Sequence, residues 1–599
     1  MPAVQFLQQR REERNDRLTG LIRVYLWGPV LVGCIAILPV SAVAALALCG
    51  SIFAFLAQCA LDRNAEIKIF DSLYDGFEVD DADILRATYL GQAMPFFEWR
   101  NGLDVLLKEH GMLTVDQRRD YAAKQYSRMT PFMFPDDMMT RHLAVIGPTG
   151  AFKTELVTIM ADQQIRRGGG MILLEAKSDN KLAGAIYNLC KRHNVLHKLD
   201  IINLEHPALS HSYNPFFSGN VRSTLSTAMK MQAEGGEEFW QDTARYSLTA
   251  AILAFKAQPG SPAFNLKDMV ALLGNFDLLI KLIRKINIEE SEDHKNAQEF
   301  CLTYLNTWWN DSKGEFDTNR YKTLLQGMIS KLSAFTHSEY NRIINAYAPQ
   351  VDLKRSILDG RITVLSMSSL MDKDGTSLMG RLFMSDIARA IGEIQAEGLV
   401  PLIPCPISID EYPSIAHGAD IGIFQLSRSA NCPMQIFFQG KSFLNEVGRE
   451  FATSVLSQCW HHIYGDVRDP ETRKFASEIS PTIIRQIEQT STGSSFGMSH
   501  GSETSGVIAQ ETDGQSVSRG TKELRETLLQ PDDFEHLEQG DAILVGTTGT
   551  YRIRLGLIHD IGTRPAWKNF ELLYPEPRRG FGINLWEQAI AKYRGTFDI

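Results

Sequence analysis

A chain of 599 residues is too long for a single core, so two to four folded units are expected. Its composition, 44% hydrophobic and 22% charged, is that of a globular protein, and a net charge of −10 excludes a surface that attracts nucleic acid as a whole. Any nucleic-acid contact then needs a local patch or a pore. The eight cysteines show no CxxC or metal-ligand spacing, which fits a reduced cytosolic domain with no disulfide framework and no zinc site.

From Val24 to Ala60 no residue is charged. One spanning helix needs roughly 20 apolar residues, so this run is too long for one and just long enough for a tight hairpin. Pro39 breaks it near the middle. Arg10, Arg11, Arg14, Arg17 and Arg23 precede it and Arg63 and Lys68 follow, which places both ends in the cytoplasm. Two transmembrane helices are predicted, at 22–38 and 41–60; one long tilted helix is the other reading. Residues 64–140 read as a mixed, linker-like connection to the first strand.

His142 to Ile146 is a short apolar run, read as a buried strand. Then comes Gly147-Pro148-Thr149-Gly150-Ala151-Phe152-Lys153-Thr154. The pattern G-x-x-x-x-G-K-[ST] surrounds nucleotide phosphates with backbone N–H groups, aims a lysine at them and offers a hydroxyl to Mg²⁺. Here Gly147, Lys153 and Thr154 match, and Phe152 stands where the second glycine belongs. Glu155 to Arg166 has helical spacing, so the loop opens onto a helix N-terminus, where free N–H groups and the helix dipole favour an anion. A plain strand-to-helix turn is the bland alternative.

Buried strands follow at 171–174 and 199–204, with a helix at about 181–193 between them. Such alternation implies a parallel sheet wrapped by helices. From 222 to 348 the spacing turns helical, with Trp240, Tyr246, Leu248, Leu253, Trp308, Trp309 and Leu332 as bulk, so an all-helical insertion is expected. Strands resume at 362–366, 407–409 and 435–439, and a last pair is expected at 541–546 and 551–556. Gln489 to Thr521 is rich in Ser, Thr, Gly and Gln and is expected to be a mobile loop.

A phosphate loop needs one carboxylate for Mg²⁺ and another to polarise the attacking water, at the end of a neighbouring buried strand. Pro406 to Glu411 supplies that pattern, with Asp410 for the metal and Glu411 for the water. A solvated acidic turn is the alternative.

Six elements in order carry a resemblance. They are the phosphate loop, Glu175-Ala176-Lys177-Ser178-Asp179, Tyr213-Asn214-Pro215-Phe216, Trp240-Gln241-Asp242-Thr243-Ala244-Arg245, Asp410-Glu411-Tyr412, and Ser427-Arg428-Ser429 with Gln439 on the next strand. Together they resemble the type IV coupling proteins of the TraD/TraG class, the membrane-anchored hexameric ATPases of conjugation and type IV secretion.

The resemblance implies a fold and roles. The fold is a RecA-like α/β nucleotide-binding domain with a parallel sheet, formed by residues 141–221 and 349–565. An all-α domain at 222–348 faces cargo. A basic segment with a transmembrane hairpin occupies 1–63, and a tail occupies 566–599. ATP and Mg²⁺ are the implied cofactors. Arg428 resembles an arginine finger reaching a neighbour's nucleotide, with a surface ion pair as its plainer role. Gln439 resembles a γ-phosphate or water sensor, with a polar strand end as its plainer role. The implied protein sits in the bacterial inner membrane with its bulk in the cytoplasm. It forms a homo-hexamer against membrane lipid and type IV secretion channel components. It receives relaxase-bound single-stranded DNA, effector proteins or both, with single-stranded DNA meeting a local pore patch. The competing readings are an FtsK-type DNA translocase and an ATPase-silent substrate receptor, the latter resting on Phe152.

Overall fold

The computed structural model describes residues 81–148, 150, 152–177, 181–231, 238–337, 340–496, 513–534, 537–558, 561–562, 565–574 and 582–597. The expected membrane hairpin lies outside them. Among the described residues no helix is long and apolar enough to cross a membrane.

The strands in chain order are β1 (Ala87–Pro95), β2 (Thr130–Pro135), β3 (Leu143–Ile146), β4 (Met171–Glu175), β5 (Leu199–Asn203), β6 (Trp309–Asn310), β7 (Glu315–Phe316), β8 (Ile362–Ser366), β9 (Ile407–Asp410), β10 (Met434–Phe438), β11 (His461–Tyr464), β12 (Thr482–Phe496), β13 (Asp513–Thr527), β14 (Asp541–Gly546) and β15 (Gly549–Leu555). Eleven of them form one sheet in the order β2-β1-β15-β14-β11-β3-β10-β9-β4-β8-β5. From β11 to β5 every neighbour is parallel, and β14, β15, β1 and β2 extend that block antiparallel. The fold is mixed α/β around a large, mostly parallel sheet.

Every residue of β3, β4, β5, β8, β9, β10 and β11 is buried, as a parallel sheet covered on both faces requires. Period-two alternation sorts the side chains. Leu143, Val145, Leu173 and Ile201 face one apolar cluster, with helices Lys153–Arg166 and Lys181–Arg192. Ala144, Ile146, Ile172 and Ile202 face the other, with helix Lys373–Glu397 and the helical insertion.

Four expectations are corrected. Residues 87–135 are not a linker: β1 and β2 complete the sheet, and Gln163 of the loop-bearing helix clamps the Tyr89 backbone from N–H to carbonyl at 2.8 and 2.9 Å. The span from Gln489 to Thr521 is not a structureless loop where described: β12 and β13 pair residue for residue from Thr482↔Thr527 to Phe496↔Asp513. A ladder of backbone bonds needs no apolar core, and composition therefore hid it. The insertion is mostly helical, yet β6 and β7 form a small hairpin within it, and two of its expected bulk residues, Trp240 and Trp309, are over 40% exposed. Finally, the tail carries a helix, Leu585–Phe597, docked on the insertion. There Asp268 Oδ1 accepts from the Leu585 and Trp586 N–H groups at 2.9 and 3.2 Å.

Asn214, just ahead of the insertion, ties the sheet domain to two points within it. Its Nδ2 donates to the Phe264 and Ala346 carbonyls at 2.9 and 3.0 Å, and its Oδ1 accepts from Phe216 N.

Candidate nucleotide site

The site lies at the C-terminal edge of the parallel strands. Gly147 leaves β3 and donates its N–H to the Phe438 carbonyl of β10 at 3.1 Å, which fixes where the loop starts. Gly150 has φ +81°, a left-handed turn that glycine adopts without a Cβ penalty. Thr149 and Ala151 lie outside the described residues, as do Ser178 and Asp179.

Phe152 is 2% exposed and belongs to the cluster that includes Leu143, Val145 and Leu156. Its φ of −177° lies outside the left-handed region that favours glycine. The ring packs under the loop rather than into it.

Lys153 begins the helix and is 4% exposed. Its Nζ donates to the Gly147 carbonyl at 2.6 Å. Burial pushes its ammonium down to about 8; Glu411 and Asp410 oppose that shift, while nearby Lys177 adds to it. Thr154 follows, half-buried, on the first helical turn.

β9 delivers the carboxylates. Asp410 ends the strand, in register with Phe437 of β10 and Glu175 of β4. Glu411 then has φ 54° and ψ 49°, a left-handed conformation uncommon outside glycine and a mark of strain held by its surroundings. The Glu411 N–H donates to Asp410 Oδ1 at 3.1 Å. Gln439, just beyond β10, donates Nε2 to both Glu411 carboxylate oxygens at 3.2 and 3.4 Å. Thus β10, lying between the loop strand and the carboxylate strand, brings Gln439 between the two.

Lys177 completes the group. Its Nζ lies 3.1 Å from Asp410 Oδ2 and 3.0 Å from Glu411 Oε1. Burial opposes its charge, yet the two carboxylates prevail and hold its pKa above the ordinary value. The sequence offered Lys177 only as part of a strand end; a lysine two residues past a buried strand, beside an acidic pair, was the available signal.

Among the described residues no three His, Cys, Asp or Glu side chains gather as a metal cage. Mg²⁺ itself keeps several waters and takes one or two protein oxygens beside substrate phosphates. Asp410 and Thr154 provide hard oxygen donors of that kind.

The structure does not bring Arg428 to this group. It caps helix Ile421–Ser427 and precedes β10, so it sits at the opposite edge of the sheet. A strand of that length separates the edges by roughly 16 Å. Arg428 is exposed and, among the described residues, has no ion pair; its Cζ lies 5.9 Å from the Trp460 ring centroid. Arg141, just before β3, lies 4.9 Å from the same ring. Sequence reading passed over Arg141 and Trp460, because neither belongs to a motif.

The remaining motif residues are structural or exposed. Ala244 is buried, whereas Trp240 is 42% exposed and Arg245 faces solvent.

Residues 106–555 match the family described as Type IV secretory system Conjugative DNA transfer. The type 4 coupling protein DotL of Legionella pneumophila is 22% identical over 300 residues, 44% of this chain and 38% of DotL, so the chain spans well under half of that curated relative. Among solved structures, the unbound bacterial conjugative coupling protein TrwBdeltaN70 has a TM-score of 0.45 at 16% identity over 73% of this chain and 89% of that one. A TrwB complex with ADP and Mg²⁺ has a TM-score of 0.45 at 16% identity over 72% of this chain and 88% of that one. VirB4 of Thermoanaerobacter pseudethanolicus has a TM-score of 0.43 at 9% identity over 72% of this chain and 95% of that one. With the family match running through both edges of the sheet, the chain belongs to the type IV secretory system conjugative DNA transfer family, the type IV coupling proteins.

Proposed function

We propose that this coupling protein is a RecA-like ATPase that works as a ring, a hexamer in the family's manner. It hydrolyses ATP to deliver substrate into a type IV secretion or conjugation channel. The observation that carries the reading is the grouping of Lys153, Lys177, Asp410, Glu411 and Gln439 at one edge of the sheet.

Each residue has work suited to phosphoryl transfer. The loop N–H groups and Lys153 bind and orient the phosphates. Asp410 and Thr154 would hold Mg²⁺, which would neutralise phosphate charge. Glu411 takes the proton of the attacking water, and its carboxylate is aimed by Gln439 and Lys177. Gln439, bonded to Glu411, is placed to sense the γ-phosphate or the attacking water. Arg428 supplies positive charge to the transferring phosphoryl group of a neighbouring copy, with Arg141 beside it. Its place on the far edge supports action in trans, since one copy alone lacks that charge at its own site.

The same reading assigns residues 141–221 and 349–565 to nucleotide binding and 222–348 to cargo. It places the hairpin at 22–38 and 41–60 in the inner membrane. The cargo is relaxase-bound single-stranded DNA, effector protein or both. Burial of Phe152 supports the ATPase over the silent receptor, whose one argument was that residue.

Steady-state hydrolysis by the detergent-solubilised protein tests the reading, together with substrate transfer in cells. Lys153→Ala and Glu411→Gln should each abolish both, with the melting temperature held within a few degrees. Wild-type transfer by either variant would end the ATPase assignment.

A further inference from the structure

We infer that Trp460 is a positioning residue that holds Arg428 ready for the neighbouring copy's nucleotide. The inference rests on the trans role of Arg428 proposed above.

The backbone beneath Arg428 is fixed. His142, buried at the start of β3, accepts from Met434 N at Nδ1 over 3.0 Å, so its Nε2–H donates to the Phe424 carbonyl at 2.7 Å. That one imidazole stitches the Arg428-bearing helix to β3 and β10. The side chain is another matter. An exposed arginine with no ion pair among the described residues samples many rotamers, and ordering it at each encounter costs entropy.

Trp460 answers that need. Its backbone N–H donates to the Arg141 carbonyl at 3.1 Å, which anchors it at the start of β11. Trp460 is 48% exposed, and both guanidiniums lie near its ring, Arg141 at 4.9 Å and Arg428 at 5.9 Å. An indole face attracts a guanidinium, and more strongly once water is excluded, as it would be when a second copy covers this edge. Two like charges sharing one ring repel each other. A polyanion such as nucleotide phosphates relieves that repulsion. The indole thus narrows where Arg428 can point without itself touching the nucleotide.

The test uses the full-length, detergent-solubilised chain and ATP, comparing Trp460→Ala, Trp460→Phe, Arg428→Ala and the double variant Trp460→Ala/Arg428→Ala. Hydrolysis is measured against protein concentration, with a non-hydrolysable ATP analogue giving affinity in dilute protein and a thermal melt giving stability. Trp460→Ala should lower kcat about tenfold at assembled concentrations, leaving analogue affinity and melting temperature unchanged. Trp460→Phe, which keeps an aromatic face, should restore most of that loss. The double variant should be no worse than Arg428→Ala, because both changes remove one interaction. Wild-type kcat in Trp460→Ala, or losses that multiply in the double variant, would overturn the inference. Undiminished hydrolysis by Arg428→Ala would instead bring down the trans reading itself, and the inference with it.

Discussion

A Cβ built on Gly465 would collide with Cε1 of Phe152, so the ring occupies the space that any side chain at position 465 would need. Gly147 is the other side of the slot, where a Cβ would meet the same Cε1 at 3.3 Å. Two backbone positions without side chains therefore seat the benzyl group beneath the phosphate loop. This explains how a loop of this kind carries phenylalanine: it gains a core contact in place of a flexible glycine.

The first prediction follows from that slot. Phe152→Gly should destabilise the protein by about 3 to 5 kcal/mol, in the manner of large-to-small core changes. Nucleotide affinity should stay within about threefold, as the ring does not line the phosphate side. Gly465→Ala should also destabilise, and adding Phe152→Gly to it should recover part of that loss, a coupling expected of residues in contact. Thermal melts and nucleotide titrations of the three variants check this. A marked gain in affinity with no loss of melting temperature in Phe152→Gly would count against it.

The second concerns pH. Lys153 binds phosphate as an ammonium, and burial holds its pKa at about 8. Below that value the charge is present; as the pH rises through it, binding must draw a proton from solution to restore the charge. Apparent nucleotide affinity should thus be level near pH 7 and fall by up to about tenfold between pH 7 and pH 9. Calorimetry in buffers of different ionisation enthalpy should record proton uptake on binding near pH 8. Proton release, or no exchange at all, would refute the assignment.

Much of this was legible before the structure. β3, β4, β5, β8, β9 and β10 are short, mostly apolar runs, interrupted by single polar residues such as Asp200, Ser408 and Gln435, which is close to how a parallel strand covered on both faces must look. β11 was hidden because His461 and His462 make half of it read as polar, although burial holds both neutral, with pKa values lowered to about 4. β1 was hidden by Gly91 and Gln92 within it. In the site, the residues set by local motif were visible: Lys153, Asp410, Glu411 and Gln439. Lys177 and the Arg141–Trp460–Arg428 edge depend on which strands are neighbours. The strand order β11-β3-β10-β9-β4 joins segments up to about 300 residues apart, and no local pattern encodes it.

The third prediction addresses the segment outside the described residues. The uncharged run from Val24 to Ala60, with arginines before it and Arg63 and Lys68 after it, should form a hairpin with both flanks in the cytoplasm. Reporters fused before Met1 and after Ile599 should both read cytoplasmic. Opposite readings would favour one long tilted span.

The last prediction concerns the tail. Asp268 is fully buried and its two oxygens serve two helix N-termini at once. Oδ2 accepts from Asn265 N at 3.2 Å, closing the capping box of helix Leu266–Leu273. Oδ1 accepts from Leu585 N at 2.9 Å, Trp586 N at 3.2 Å and Tyr347 Oη at 3.0 Å. A carboxylate suits this place because it accepts at both oxygens and its charge complements both helix dipoles. Asp268→Asn would turn one of those oxygens into an NH₂ group facing N–H donors, leaving buried groups unpaired at a cost of about 1 to 3 kcal/mol for each. The helix Leu585–Phe597 should then detach before the rest of the molecule melts. Among the described side chains of this helix Leu585 and Ala589 are buried, and the ion pair of Lys592 with Asp277 of the insertion is exposed. Trypsin should cut at Lys592 and Arg594 several times faster in the variant than in the wild type, while hydrolysis measured on intact protein stays the same. Equal cleavage rates would mean that packing of Leu585 and Trp586, rather than the shared carboxylate, holds the tail in place.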